Sequence, residues 1–176
     1  MSATRLGETL RRAAPHALVA YVTGGYPSPD RFPRILGEVA RHADVVEIGV
    51  PFSDPMADGV TLQQTSTEAL RRGATLGGLL QTLEGLRLDA PVVLMSYLNP
   101  LLALGPELVP RLAASGVSGL VVPDLPAEEA DALDRALDAR DLALVQLVSP
   151  STPLERAKAL ARRSRGFTYV VTGRGV

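Results

Sequence analysis

Glu47 is the first residue of this sequence that calls for a chemical explanation. It lies at the centre of Val45-Val46-Glu47-Ile48-Gly49, where every other side chain is apolar or absent. A buried strand there would withdraw the carboxyl from water, and desolvation raises a carboxyl's pKa toward neutrality, where it can both give and take a proton. Asp58 follows on the next loop, in Ser53-Asp54-Pro55-Met56-Ala57-Asp58-Gly59. Two carboxyls in unlike environments are able to divide acid and base roles between them. An arginine on a neighbouring strand would instead make Glu47 half of a buried ion pair, but no run that reads as a strand contains one. Taken alone, Asp54 and Asp58 read as turn residues beside Pro55 and Gly59.

The elements that must position these groups alternate. Short runs rich in Val, Leu and Ile, at Leu18–Val22, Val45–Gly49, Val92–Ser96, Gly119–Val122, Leu142–Leu147 and Phe167–Val171, read as strands buried on both faces. The stretches between them carry helical spacing, the pattern of strand and crossover-helix units under a parallel sheet. Ser28-Pro29 opens one helix, with Phe32, Ile35, Leu36 and Val39 on its apolar face. Gly73 is placed to end a helix in the wide gap after the second strand, and Thr75 to cap the next, which carries Leu76, Leu79, Leu80 and Leu83. Thr152, Pro153 and Glu155 form a capping box. Glu128, Glu129 and Asp131 sit in a first turn, where the helix dipole favours acidic residues. The fold expected is a TIM-type (β/α)8 barrel, of which about six units are present, as a single domain over residues 1–176 that is incomplete at its C-terminal side. In such barrels the site lies at the carboxyl ends of the strands.

Composition narrows the chemistry. With 18 basic against 19 acidic residues the net charge is -1, which supplies no broad basic surface for nucleic acid or an acidic membrane. The one dense basic run, Arg162, Arg163 and Arg165, reads as a solvated helix end. No apolar run approaches the roughly 20 residues of a membrane span, and a cytoplasmic location is expected. The sequence has no cysteine, which removes disulfides, thiolate metal sites and thiol catalysis. Its only histidines, His16 and His42, precede the first two strands and fall at the face opposite the site, so no metal is expected there. Its only lysine, Lys158, falls within a helix, which disfavours a Schiff base.

Glu47-Ile-Gly-Val-Pro-Phe-Ser-Asp-Pro-Met-Ala-Asp-Gly59 closely resembles the signature of the tryptophan synthase alpha chains, barrel enzymes of the ribulose-phosphate-binding type. Tyr21-Val-Thr-Gly-Gly-Tyr-Pro27, Leu94-Met-Ser-Tyr-Leu-Asn-Pro100, Val121-Val-Pro-Asp-Leu-Pro126 and Gly166-Phe-Thr-Tyr169 are similar to further segments of the family, in the same order. The resemblance implies retro-aldol cleavage of indole-3-glycerol phosphate to indole and glyceraldehyde 3-phosphate. It gives Glu47 the acid/base role at indole C3, Asp58 the indole N–H, and Tyr169 a place beside the glutamate. Tyr21 and Thr23 would line the substrate pocket. It also implies a beta-subunit partner, in an alpha2beta2 heterotetramer, contacted through Pro51, Phe52, Asp54, Asp124 and Pro126. Pyridoxal phosphate belongs to that partner, and the barrel itself needs no cofactor.

Two alternatives stay open on the sequence: a non-catalytic barrel that binds or activates a beta subunit, and a freestanding lyase that releases indole. The family's phosphate site lies largely in loops after strands six to eight, of which Gly173 and Gly175 would only begin the first. A polypeptide of these 176 residues alone is therefore expected to be inactive or aggregation-prone, its last strand an unpaired edge. Measurable indole formation by that polypeptide would contradict this.

Overall fold

The computed structural model of the chain describes residues 5–56 and 58–172; Gly173 and Gly175 lie outside them. Helix α1 (Arg5–Ala13) precedes strand β1 (Val19–Thr23), and five strands follow: β2 (Val45–Gly49), β3 (Val92–Met95), β4 (Val117–Val121), β5 (Ala143–Val148) and β6 (Thr168–Val170). Between them run α2 (Phe32–Ala40), α3 (Val60–Arg71), α4 (Leu76–Glu84), α5 (Leu98–Leu102), α6 (Leu108–Ala114), α7 (Asp131–Asp138) and α8 (Leu154–Arg163), with a short 3-10 turn at Gly105–Glu107. All strands are parallel and pair in chain order, β1-β2-β3-β4-β5-β6. This is the expected series of six β/α units, with the extra helix α3 filling the wide gap after β2.

Successive strand residues point to opposite faces, and the sheet divides its apolar residues accordingly. Val46, Ile48, Leu94, Leu120 and Leu144 pack on the helices, together with Phe32, Leu36, Leu79, Leu80, Leu112 and Leu137. Val45, Val93, Val121, Ala143 and Val145 face the other way and are closed off by Leu6 of α1, with Leu10 against them. Nothing in the sequence pattern announces α1, a helix dominated by charged residues whose few apolar ones cover one end of the concave face. Gly166, with φ +84°, adjoins it so closely that a Cβ there would lie 2.6 Å from Leu6 Cδ2.

Thr75 caps α4 as expected, accepting from Gly78 N–H at 3.1 Å, and Gly73 ends the preceding helix in the left-handed region (φ +85°). Other details differ. β4 begins at Val117, ahead of the expected Gly119, with an irregular register between Val92 and Val93 of its neighbour. β1 and β6 are only partly buried, because each has a single strand neighbour among the described residues. α2 starts at Phe32, after a turn in which the Ser28 carbonyl accepts from the Arg31 and Phe32 N–H groups, and Ile35 is exposed.

The capping box at Thr152 does not form. The Thr152 hydroxyl accepts instead from Ser149 N–H at 2.9 Å, and Glu155 pairs with Lys158 at 2.8 Å. Glu128 and Glu129 precede α7, leaving Asp131 and Asp134 in its first turn. Two of the three clustered arginines are not simply solvated. Arg163 pairs with Asp131 at 2.6 Å and Asp134 at 3.3 Å, and Arg165 pairs with Asp138 and donates to the Leu142 carbonyl at 3.1 Å. The acids on α7 face the end of α8, so the run fastens these two outer helices together.

Candidate active site

Strand register sets the first part of the site. Tyr21 of β1 and Val93 of β3 are the partners of Glu47 on β2. Glu47 is 3% exposed, and its Oε1 has no hydrogen-bond partner. Burial alone pushes the carboxyl from 4.5 up to about 7, so near neutral pH its acid and base forms coexist. Arginine neutralisation is absent among the described residues, and the ion-pair alternative for Glu47 falls with it.

Glu47 lies against a cleft of about 330 Å3, lined also by Val19, Tyr21, Phe167 and Tyr169. The two strands that flank the opening of the sheet, β1 and β6, thus each present a tyrosine to the carboxyl held on β2. Tyr169 is half-buried and its phenol is raised first by burial and then by the charge of Glu47. Tyr21 is pushed up to about 12 by burial and by the charges of Asp58 and Glu47, against a hydrogen bond with Thr23. Both phenols therefore stay protonated at neutral pH. Gly49 makes the arrangement of Tyr21 possible. A Cβ at Gly49 would lie 1.8 Å from the Tyr21 hydroxyl oxygen, so any larger residue there would drive the ring from its place.

Asp58 comes in from the loop between β2 and α3. Its backbone carbonyl accepts from Gln63 Nε2 at 2.9 Å, which ties it to the first turn of α3. Its carboxyl is raised by burial, while a hydrogen bond from the Tyr97 hydroxyl acts in the opposite direction. Tyr97 is 6% exposed and stacks on Phe52, with ring centroids 5.0 Å apart and planes at 29°. Asp124, after β4, accepts from Leu98 N–H at 2.8 Å and so steadies the residue next to Tyr97. Removing the Tyr97 hydroxyl is expected to move the Asp58 pKa further up in Tyr97→Phe; a carbon-13 carboxyl titration reads it, and an unmoved or lowered Asp58 would contradict the contact.

The residues singled out in the sequence thus fall into two groups. Glu47, Tyr169 and Tyr21 line the cleft, while Thr23 and Asp58 stand behind them, near enough to Tyr21 to act on its phenol. Pro51, Phe52 and Asp54, after β2, and Asp124 and Pro126, after β4, occupy loops at the carboxyl ends of the strands; Pro51 is buried, Phe52 half-buried, and the other three are exposed. Tyr97 and Gly49 stood inside segments recognised as family-like, yet their tasks depend on contacts across strands that spacing does not encode. His16 and His42 lie in turns before β1 and β2, and Lys158 is exposed on α8. Among the described residues, no group of three or more His, Cys, Asp or Glu is placed to hold a metal ion, and no helix is long and apolar enough to cross a membrane.

A parallel sheet of β/α units, with a buried carboxyl on its second strand and a second carboxyl on the loop above, defines a partial (β/α) barrel. Its relatives are specific. The family model described as tryptophan synthase alpha chain matches residues 8–176. The chain is 44% identical over 172 residues to the tryptophan synthase alpha chain of Laribacter hongkongensis, covering 95% of this chain and 65% of that one. With the Gloeobacter violaceus alpha chain it shares 44% over 164 residues, 91% of this chain and 59% of the relative. Among solved structures, that of Mycobacterium tuberculosis tryptophan synthase superposes with a TM-score of 0.92 at 34% identity, over 99% of this chain and 70% of the other. The alpha subunit from Legionella pneumophila gives 0.89 at 31%, over 97% and 68%. The chain belongs to the tryptophan synthase alpha chain family, and it spans about three fifths to two thirds of the length of these two curated relatives.

Proposed function

We propose that the protein containing this chain is a carbon-carbon lyase that cleaves indole-3-glycerol phosphate to indole and glyceraldehyde 3-phosphate, the alpha reaction of tryptophan biosynthesis. The observation that carries the proposal is the unpartnered Glu47 carboxyl, held by burial at a pKa of about 7 on the wall of the cleft. The reaction needs one group able to act as acid and then as base. Protonated Glu47 delivers its proton to C3 of the indole ring, which turns the ring into an electron sink. The Asp58 carboxylate accepts the indole N–H and offsets the positive charge that develops there. Glu47, now a carboxylate, takes the proton of the side-chain hydroxyl as the carbon-carbon bond breaks; the bond's electrons return to the ring, releasing indole and the aldehyde. Tyr169 and Tyr21 enclose the carboxyl and Thr23 supports Tyr21, which limits water at the reacting atoms.

The same reading assigns Pro51, Phe52, Asp54, Asp124 and Pro126 to contact with a beta subunit, in an alpha2beta2 assembly located in the cytoplasm. The neighbourhood of Phe52, Tyr97 and Asp58 supports it, since a contact at the exposed loop would reach the second carboxyl through one aromatic pair. Pyridoxal phosphate, bound in the partner, supplies the chemistry that joins indole to serine. The test is equimolar release of indole and glyceraldehyde 3-phosphate by the full-length protein, with and without a beta subunit. Acceleration by the partner is expected; no release in either case would refute the reaction, and equal rates would refute the partnership.

A further inference from the structure

A second opening lies away from the cleft, on the helix-packed side of the sheet. Along β5, Leu144 packs on the helices and Val145 on the concave side, so alternation places Gln146 with Leu144, where an apolar residue would fill the space. Gln146 is 7% exposed. Its backbone N–H donates to Ser164 Oγ at 2.8 Å, but its carboxamide has no hydrogen-bond partner among the described residues. Nor is the carboxamide sealed in. Gln146 lines a cavity of about 160 Å3 between β5, the loop after β4 and helix α8, and its polar end opens there. Buried polar groups take a partner from protein, water or ligand, and here the described residues supply none.

We infer that this cavity is a binding site for a small neutral molecule that presents an amide, its C=O and N–H side by side, to Gln146. A carboxamide offers an acceptor and two donors in one plane, so a group with one of each satisfies it through two bonds at once. The neighbouring polar groups are already engaged. The Thr152 hydroxyl accepts from Ser149 N–H at 2.9 Å and lies 3.1 Å from Ser149 Oγ. Arg156, exposed at the rim with Pro126, donates to both carboxylate oxygens of Glu128, at 2.5 and 3.1 Å, which matches its charge and favours a neutral ligand over a carboxylate. Val122, Ala130, Leu144 and Leu160 supply an apolar wall for the hydrocarbon part of the ligand. A cavity of this volume, close to one that admits benzene, takes about six non-hydrogen atoms. The ligand class is therefore a small cyclic amide. No residue of this cavity lines the Glu47 cleft, so the site stands independently of the proposed reaction.

The test uses the full-length protein and two probes of equal size: γ-butyrolactam, a cyclic amide, and cyclopentanone, which has the ring and the C=O without the N–H. The readout is the side-chain NH2 resonance pair of Gln146 in nitrogen-15-labelled protein, assigned from its own backbone. The lactam is expected to shift this pair saturably, with a Kd on the order of 1 mM for a ligand this small, and cyclopentanone to bind about tenfold more weakly because it leaves the Gln146 carbonyl unpaired. In Gln146→Met, which keeps the length of the side chain without its amide, the backbone amides of Leu144 and Leu160 should no longer respond to the lactam. No saturable shift in the parent would overturn the site and leave the cavity to water. Equal affinity for the two probes would overturn recognition of the amide, and this comparison holds whether or not the variant folds. An undiminished response of Leu144 and Leu160 in Gln146→Met would overturn the role of Gln146.

Discussion

Glu47→Gln is expected to lower turnover of indole-3-glycerol phosphate by the full-length protein by a factor of about 100 to 10,000, the range a positioned acid–base group contributes. Glutamine keeps the shape and the hydrogen-bonding reach of the side chain and loses only the exchangeable proton. Substrate binding should therefore change little, and the loss should fall on kcat. Glu47→Asp, which retains the carboxyl but draws it back along the side chain, should recover only part of the rate, because proton transfer requires hydrogen-bond contact with the reacting carbon and hydroxyl. Steady-state kinetics of the parent and both variants makes the comparison. More than a tenth of parental kcat in Glu47→Gln would mean that another group moves the proton.

The same substitution has the opposite effect on folding. The Glu47 carboxyl titrates at about 7 in the folded chain against 4.5 for an ordinary glutamate, and each pKa unit corresponds to about 1.4 kcal/mol. Below pH 4.5 the group is protonated in both states, and its burial carries no charge penalty. Between 4.5 and 7 the folded protein retains a proton that the unfolded chain releases, so the contribution of this group to stability falls as pH rises. Above 7 the full penalty remains, on the order of 3 kcal/mol. Glu47→Gln removes it. Urea unfolding at pH 4.5 and pH 8 should show the variant gaining on the parent by roughly that amount at the higher pH. A stability difference that is the same at both pH values would contradict a raised carboxyl. The protein thus holds its proposed acid–base group at the expense of its own stability, as functional sites commonly do.

Much of this is legible in the sequence. Buried parallel strands read as continuous apolar runs, and the six runs are the six strands, misplaced by a residue or two at their ends. Thr75 and Gly73 are local signals, and local signals survive folding. The misreadings share a different character. Thr152 has the capping pattern but finds Ser149 instead, and the arginines that look like a solvated helix end meet acids on a helix that precedes them in the chain. Helix α1 escapes notice because its apolar pair serves a concave surface that exists only once the sheet has curled.

The site divides along the same line. An acidic residue embedded in an apolar strand is visible in the sequence, and burial alone then accounts for the shift of Glu47. What Tyr97 does for Asp58 and what Gly49 allows Tyr21 are relations between different strands and loops, and they depend on register.

Everything proposed for the cleft depends on Glu47 exchanging its proton near neutral pH, and the carbon-13 resonance of its own carboxyl, followed against pH and assigned by its loss in Glu47→Gln, measures this without any substrate. A midpoint near 7 is the expected result. A midpoint near 4.5, that of an ordinary solvated glutamate, would contradict the acid–base role at its source.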